Sequence, residues 1–218
     1  MKQILIEAAK DLRHLLNRGY NRESAVNFVG DRYQLNREER FLLYRAIYDD
    51  QSAEEHRRKL LPIEAINGKK LAVDGYNVLI TVESLIKGLP LVYSDDGLIR
   101  DISGVFRGYQ ITDVTYQAAN LILKEIQMHH PASVHFFFDE PISKSGELAN
   151  YFRQELKKYN LKGDAETVKM ADKASAMKGE ITASSDCVVI NHATKIVDLA
   201  GEIAKKKQPK QLLKLTEV

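Results

Sequence analysis

The feature that most constrains this chain is residues 69–80, KKLAVDGYNVLI. Its apolar run Leu71-Ala72-Val73 closes on Asp74 and then on Gly75-Tyr76-Asn77. A short apolar run without polar alternation is the pattern of a strand buried on both faces, as in parallel sheets. Residues just past the carboxyl end of such a strand face the crevice where open α/β sheets bind ligands. Asp74 is therefore predicted to stand at that crevice. Gly75 is expected to allow a tight turn there, and Asn77 to reach back to the same space.

Three later segments repeat the arrangement. Residues 134–138 (VHFFF) read as a buried strand that ends in Asp139. Residues 166–170 read as a third strand running into Ala171-Asp172-Lys173 and a brief helix. Residues 180–183 read as a fourth, leading to Ser184-Ser185-Asp186. A helix capped by Thr112 is predicted over 111–127, and another starts at Ser145 and finishes at Lys157-Lys158. Residues 82–86 fit a helix or a strand. Residues 89–93 have strand character before the turn cluster Ser94-Asp95-Asp96-Gly97, and 98–109 stay ambiguous. Cys187 is expected to pack within a continuing strand over 187–190. Residues 196–199 fit a strand or a helix start, 200–207 a basic helix, and 208–218 a loosely held extension. This alternation makes residues 62–218 an α/β domain with a parallel sheet flanked by helices. Right-handed crossovers would bring all the strand ends to one edge of that sheet.

Residues 1–61 carry helical periodicity and almost no strand signal. Ile4, Leu5, Ala8, Ala9, Leu12, Leu15 and Leu16 form one apolar stripe that stops at Gly19. A second helix starts at Asn21 and is predicted to end at Gly30. A third is capped by Asn36 with Glu39 at the capping-box position. A small all-α module of three short helices is expected, followed by a polar stretch over 49–59 that leads into the second domain. The module is rich in arginine (Arg13, Arg18, Arg22, Arg32, Arg37, Arg40, Arg45) interleaved with Tyr20, Tyr33 and Tyr44. That mixture suits RNA binding, although Asp and Glu nearly balance it and a solvated face has the same composition. Pairing of two modules into a homodimer is the other role considered.

Net charge is only +2, so no global basic field points to nucleic acid. A single cysteine, Cys187, excludes an internal disulfide and a cysteine-rich zinc site. No apolar run approaches 18 residues and no signal peptide is evident, so no membrane partner is expected and the cytoplasm is the default location.

Asp74, Asp139, Asp172 and Asp186 thus share one context. One Asp past a strand commonly caps a helix or forms a turn, but four in one alternating domain are harder to explain so. Four clustered carboxylates cannot all stay ionised without compensation. A hard divalent cation, Mg²⁺ or Mn²⁺, relieves the conflict and suits phosphodiester hydrolysis. The pattern does not separate a nuclease from a phosphatase. Arg100, Arg107, Lys144, Lys173 and Lys178 are candidates to line the crevice and touch phosphate. His56, His129, His130, His135 and His192 lack metal-ligand spacing.

DGYN after the first strand, FFFDEP after the second, TVKMADKAS around the third and ITASSDCVVI around the fourth resemble the NYN branch of PIN-like ribonucleases, its YacP-type members above all. The resemblance covers residues 69–200. It implies a Rossmann-like parallel sheet and Mg²⁺- or Mn²⁺-dependent RNA cleavage. Asp74, Asp139, Asp172 and Asp186 would be the metal-binding acids, assisted by Asn77 and Ser185. Lys173-Ala174-Ser175-Ala176 lacks the acid usual beyond the third motif, and Asp96 or Asp101 is a candidate replacement. The Arg-rich head before this domain also looks like an uncharacterised prokaryotic family. Three readings stay open: a metal-dependent ribonuclease, a catalytically silent module binding RNA or a protein partner, and a phosphatase. The third is disfavoured, because DGYN lacks the second Asp that an aspartyl-phosphate mechanism needs.

Overall fold

The computed structural model describes residues 2–104 and 109–215; Arg107 lies outside them. The chain opens with four helices. Helix α1 (Lys2–Asn17) buries Leu5, Ala8, Ala9, Leu12 and Leu16 of the predicted stripe, with Leu15 partly buried, whereas Ile4 is exposed. Helix α2 (Arg22–Arg32) starts where Asn21 accepts a hydrogen bond from the Ser24 amide at 3.1 Å. It runs through Gly30 and does not end there. A Cβ at Gly30 would lie 2.5 Å from Arg40 Nη1, so this glycine serves close helix packing and not termination. Helix α3 (Arg37–Ala46) carries the full capping box, with the Asn36 and Glu39 bonds both at 2.9 Å. The polar stretch forms a fourth helix, α4 (Asp50–Lys59), capped by Asp49.

Many of the arginines hold this module together. Arg13 forms a forked pair with Asp95 at 2.8–3.0 Å. Arg22 donates to the carbonyls of Tyr44 and Ile47, and Arg40 to those of Leu35 and Asn27. Arginine density here is largely an architectural signal, because a guanidinium can satisfy several orphaned helix-end carbonyls at once.

The remaining elements alternate. They are β1 (Leu60–Leu61), β2 (Lys70–Asp74), α5 (Gly75–Ile86), β3 (Leu91–Tyr93), β4 (Ile99–Asp101), α6 (Asp113–Met128) and β5 (Ser133–Asp139). Then follow α7 (Ser145–Lys158), β6 (Gly163–Val168), α8 (Ala171–Lys178), β7 (Ile181–Ala183), α9 (Cys187–His192), β8 (Ile196–Val197), α10 (Leu199–Lys207) and β9 (Leu212–Lys214). Six strands form one all-parallel sheet in the order β1-β8-β7-β2-β5-β6. The fold is α/β, a Rossmann-like layout with a helical N-terminal part. Alternation along the strands divides the layers: Val134, Phe136 and Phe138 enter the main core with α5, α6, α7 and α10, while Phe137 packs with Ala72 and Ala171 on the opposite face.

Three segments depart from expectation. Residues 187–190 are helical, not extended, because the Asp186 side chain caps them by accepting the Val188 amide at 2.7 Å. Residues 212–214 of the predicted loose extension are anchored: β9 pairs in parallel with β3, which pairs antiparallel with β4, giving a separate three-stranded sheet. Arg100 is wholly buried and not in a crevice. Its Nη atoms grip Asp96 at 2.6 and 2.7 Å, and its Nε donates to the Ser185 carbonyl at 2.8 Å. The far side of Asp96 meets His56 Nδ1 at 2.8 Å, and His56 Nε2 lies 3.1 Å from Asn191 Oδ1. This buried network ties α4, the 91–101 hairpin, the turn before α9 and the end of α9 together.

Gly75 has helical backbone, so a tight turn is not why it is glycine. A Cβ there would lie 2.7 Å from the Phe137 carbonyl oxygen and closer still to the Phe138 ring. Alanine's better helix propensity is worth about 1 kcal/mol, whereas overpacking against a fixed backbone costs about 1–3 kcal/mol. Gly75→Ala is therefore expected to lower stability by up to about 2 kcal/mol, read as a reduced urea midpoint. An unchanged midpoint would show that α5 can slide away from β5.

Candidate acidic site

Asp74 is the last residue of β2 and immediately precedes α5. Asp139 ends β5, Asp172 lies in the first turn of α8 just beyond β6, and Asp186 precedes α9 beyond β7. All four therefore lie at the carboxyl edge of the parallel sheet. A cavity of about 250 Å³ opens there, walled by Asp74, Asn77, Asp172 and Asp186 together with Asp101, Arg45 and Phe41. Asp139, Ser185, Lys144 and Lys173 are not in its wall. Lys144 sits exposed at the start of α7, 3.9 Å from Glu147, and Lys178 pairs with Glu166 at 2.7 Å.

The carboxylates are held individually. Asp74 is 3 % exposed and accepts from the Ser184 hydroxyl at 2.8 Å. The same hydroxyl oxygen accepts from the Asp186 amide at 3.0 Å, linking the ends of β2 and β7. Asn77 Oδ1 accepts from both the amide and the hydroxyl of Ser185, at 2.9 and 3.2 Å. Its role is thus to fix the 184–186 turn, and Ser185, being buried, positions and does not touch solvent. Asp139 accepts the Ala171 amide at 3.3 Å, which docks the start of α8.

Electrostatics mark the cluster as uncompensated. Burial pushes Asp74 up to about 8, against the opposing Ser184 bond, and the charges of Asp172 and Asp186 add to the rise. Asp172 is pushed up to about 6 by burial and then by Asp186 and Asp139. Asp139 is raised by burial and by Asp186, partly offset by the Ala171 amide. Among the described residues, no Lys, Arg or His forms an ion pair with any of the four. Among the described residues, too, no three His, Cys, Asp or Glu side chains are arranged to hold a metal ion as they stand.

Of the two acids in the 89–109 segment, the structure separates the roles. Asp96 is consumed by Arg100 and His56, while Asp101 reaches the cavity wall with Oδ1 accepting from Ser103. Phe41 and Arg45 were invisible as site residues in the sequence. Their presence depends on α3 packing on the β3–β4 hairpin, which no local pattern reports. Cys187 contacts the Tyr48 hydroxyl at 2.9 Å, and His135 stacks on Phe137. Among the described residues no helix is long and apolar enough to cross a membrane.

Comparison with known proteins places this site in a wider group. Residues 4–59 match a family described as a protein of unknown function (DUF434). An uncharacterised protein of Methanocaldococcus jannaschii is 37 % identical over 200 residues, covering 90 % of this chain and 95 % of its own length. No solved structure matches the chain. Residues 63–202, which carry the whole acidic edge, match the family described as domain of unknown function DUF5616, and the chain belongs to that family.

Proposed function

We propose that the chain is a metal-dependent ribonuclease of the NYN/PIN-like kind, with Asp74, Asp139, Asp172 and Asp186 as its reacting centre. The observation that carries this reading is four carboxylates at one sheet edge, none of which forms an ion pair with a Lys, Arg or His among the described residues. The donor set is all oxygen, which fits Mg²⁺ or Mn²⁺ and not a soft metal. Asp74, Asp172 and Asp186 would hold the ion from the cavity wall, which Asp101 shares, and Asp139 would join them from outside that wall. A bound divalent ion supplies Lewis-acid polarisation of a phosphoryl oxygen and lowers the pKa of a water.

The chain's own residues do the positioning. Asp74, pushed up to about 8 by burial, holds a proton in the ion-free protein at neutral pH, and Asp172, pushed up to about 6, does so only in mild acid; each must be deprotonated to act as a ligand. Ser184 sets the orientation of Asp74 and the 184–186 turn together, and Asn77 clamps that turn through Ser185. Arg45 is the cation in the wall, available to a phosphate.

Titration calorimetry of the whole protein with Mn²⁺ tests this directly, with cleavage of end-labelled single-stranded RNA followed in parallel. Binding is expected, weakened about tenfold in Asp172→Asn, the order of effect seen when one contact to a metal site is lost. Mn²⁺ binding that ignores Asp172 would place the ion elsewhere and end this reading. A catalytically silent module binding RNA or a protein partner is the second reading, favoured by the absence, among the described residues, of three ligand-ready side chains. It predicts RNA binding with no Mn²⁺-dependent cleavage.

A further inference from the structure

A second, larger cavity of about 960 Å³ runs between α2, α3 and residues 102–104, and Phe41 and Gly104 line both it and the acidic cavity. The two spaces therefore adjoin. Arg37, Phe41, Tyr44 and Arg45 stand at i, i+4, i+7 and i+8 of α3, one stripe of that helix. Leu42, Leu43 and Ala46 are buried in the module instead. Tyr44 is 42 % exposed and Phe41 half-buried, so neither ring is spent on the core. Arg37 and Arg45 form no ion pair among the described residues, and Arg45 donates only to the Asp101 carbonyl, at 3.3 Å.

From this juxtaposition we infer that α3 is the substrate-positioning wall of the acidic site. A single-stranded RNA segment lies along the α2–α3 groove, stacks a base on Phe41, and presents the adjoining phosphate past Arg45 to the carboxylates. The inference rests on the ribonuclease reading and adds where the strand enters. Aromatic rings alternating with arginines are the surface that single strands use, because every base has a face to stack. The groove's charges are balanced: Glu23 and Glu38 line it with Arg37 and Arg40, and Arg40 is paired with Asp31 at 2.8 Å. A groove so balanced holds RNA by stacking more than by phosphate neutralisation. A duplex is a poor occupant, since its bases offer no free face.

The test is fluorescence anisotropy of a labelled uridine 12-mer on the whole protein, with EDTA present so that no cleavage runs. Phe41→Leu, which keeps apolar volume but not the ring face, is expected to weaken binding about tenfold, and Phe41→Tyr to stay within about twofold. Two arginine contacts imply a shallow dependence on salt, a log–log slope of about −1.4 for a single strand. Irradiating wild type with a 4-thiouridine 12-mer is expected to label the peptide containing Phe41 and Tyr44, a readout that needs no variant. Undetectable wild-type binding, a salt slope several times steeper, or labels confined to other elements would each overturn the inference. RNA cleavage by wild type with Phe41→Leu binding normally removes this wall and spares the nuclease. Phe41-dependent binding by a chain that never cleaves removes the nuclease and keeps the wall as a single-strand binding surface.

Discussion

Arg100→Met is expected to destabilise the protein by about 3–5 kcal/mol, the cost of leaving one member of a buried ion pair alone. Methionine replaces much of the packing volume, so the loss is electrostatic. Burial alone would push Asp96 up, but the Arg100 charge and bonds, with His56, hold it well below the usual carboxylate range. Without Arg100 the desolvated carboxyl has only His56 and the Leu98 amide, and the Ser185 carbonyl loses its Arg100 donor. The sign with pH follows. A depressed carboxylate contributes stability that is fully present above its unfolded pKa, about 4, and is lost as pH falls further. The variant's Asp96, now raised, is relieved by protonation. The gap between wild type and Arg100→Met should therefore narrow as pH drops from 7 towards 4. Adding Asp96→Asn to the variant should recover a large part of the loss at pH 7. Urea unfolding across that range measures both, and a gap that widens on acidification would contradict the assignment.

Asp74→Asn should have opposite effects on stability and on metal binding. Its folded pKa, about 8, lies above the unfolded value, so the sign is reversed from Asp96. A raised carboxylate contributes stability present below its unfolded pKa and lost as pH rises through the folded one. Between pH 4 and 8 the ion-free wild type should thus lose a few kcal/mol that the asparagine variant keeps, about 1.4 kcal/mol for each unit of displaced pKa. Asparagine can still accept the Ser184 bond. Mn²⁺ runs the other way: wild-type affinity should climb between pH 6 and 8 as the acids ionise, and the variant's should fall at least a hundredfold below it. Thermal melts in EDTA and calorimetry with Mn²⁺ read the two arms separately. A variant destabilised at pH 8 would mean that the charged form of Asp74 is stabilised by a neighbour and is not strained.

Such a trade of stability for a charge cluster supports the proposed metal site. Asp198 supplies the contrast within the same molecule. It is also buried and raised, to about 6, yet its oxygens are taken by the Ile99 and Gly201 amides at 2.8 Å, and it simply caps α10. Asp172 makes no comparable side-chain bond among the described residues, and its rise comes partly from like charges.

What the sequence determined by itself is whatever depends on near neighbours along the chain. The Asn21 and Asn36 caps are set within three residues, and the strand ends at Asp74 and Asp139 follow from apolar runs that stop at an acid. Parallel crossovers of one hand then carry four such ends to one edge, so the shared edge of the four acids follows from the sequence, though not which of them wall the cavity. The tertiary structure decided the rest, since it turns on partners distant in sequence. Arg100 becomes a core residue only because Asp96 and the Ser185 carbonyl meet it. Residues 187–190 turn helical under the Asp186 cap, and β9 is held by β3. Phe41 and Arg45 join the site because α3 packs on the 91–101 hairpin. Local propensity is the same for a solvated α3 and a docked one, and only the docking, a balance of burial against ordering over the whole chain, tells them apart.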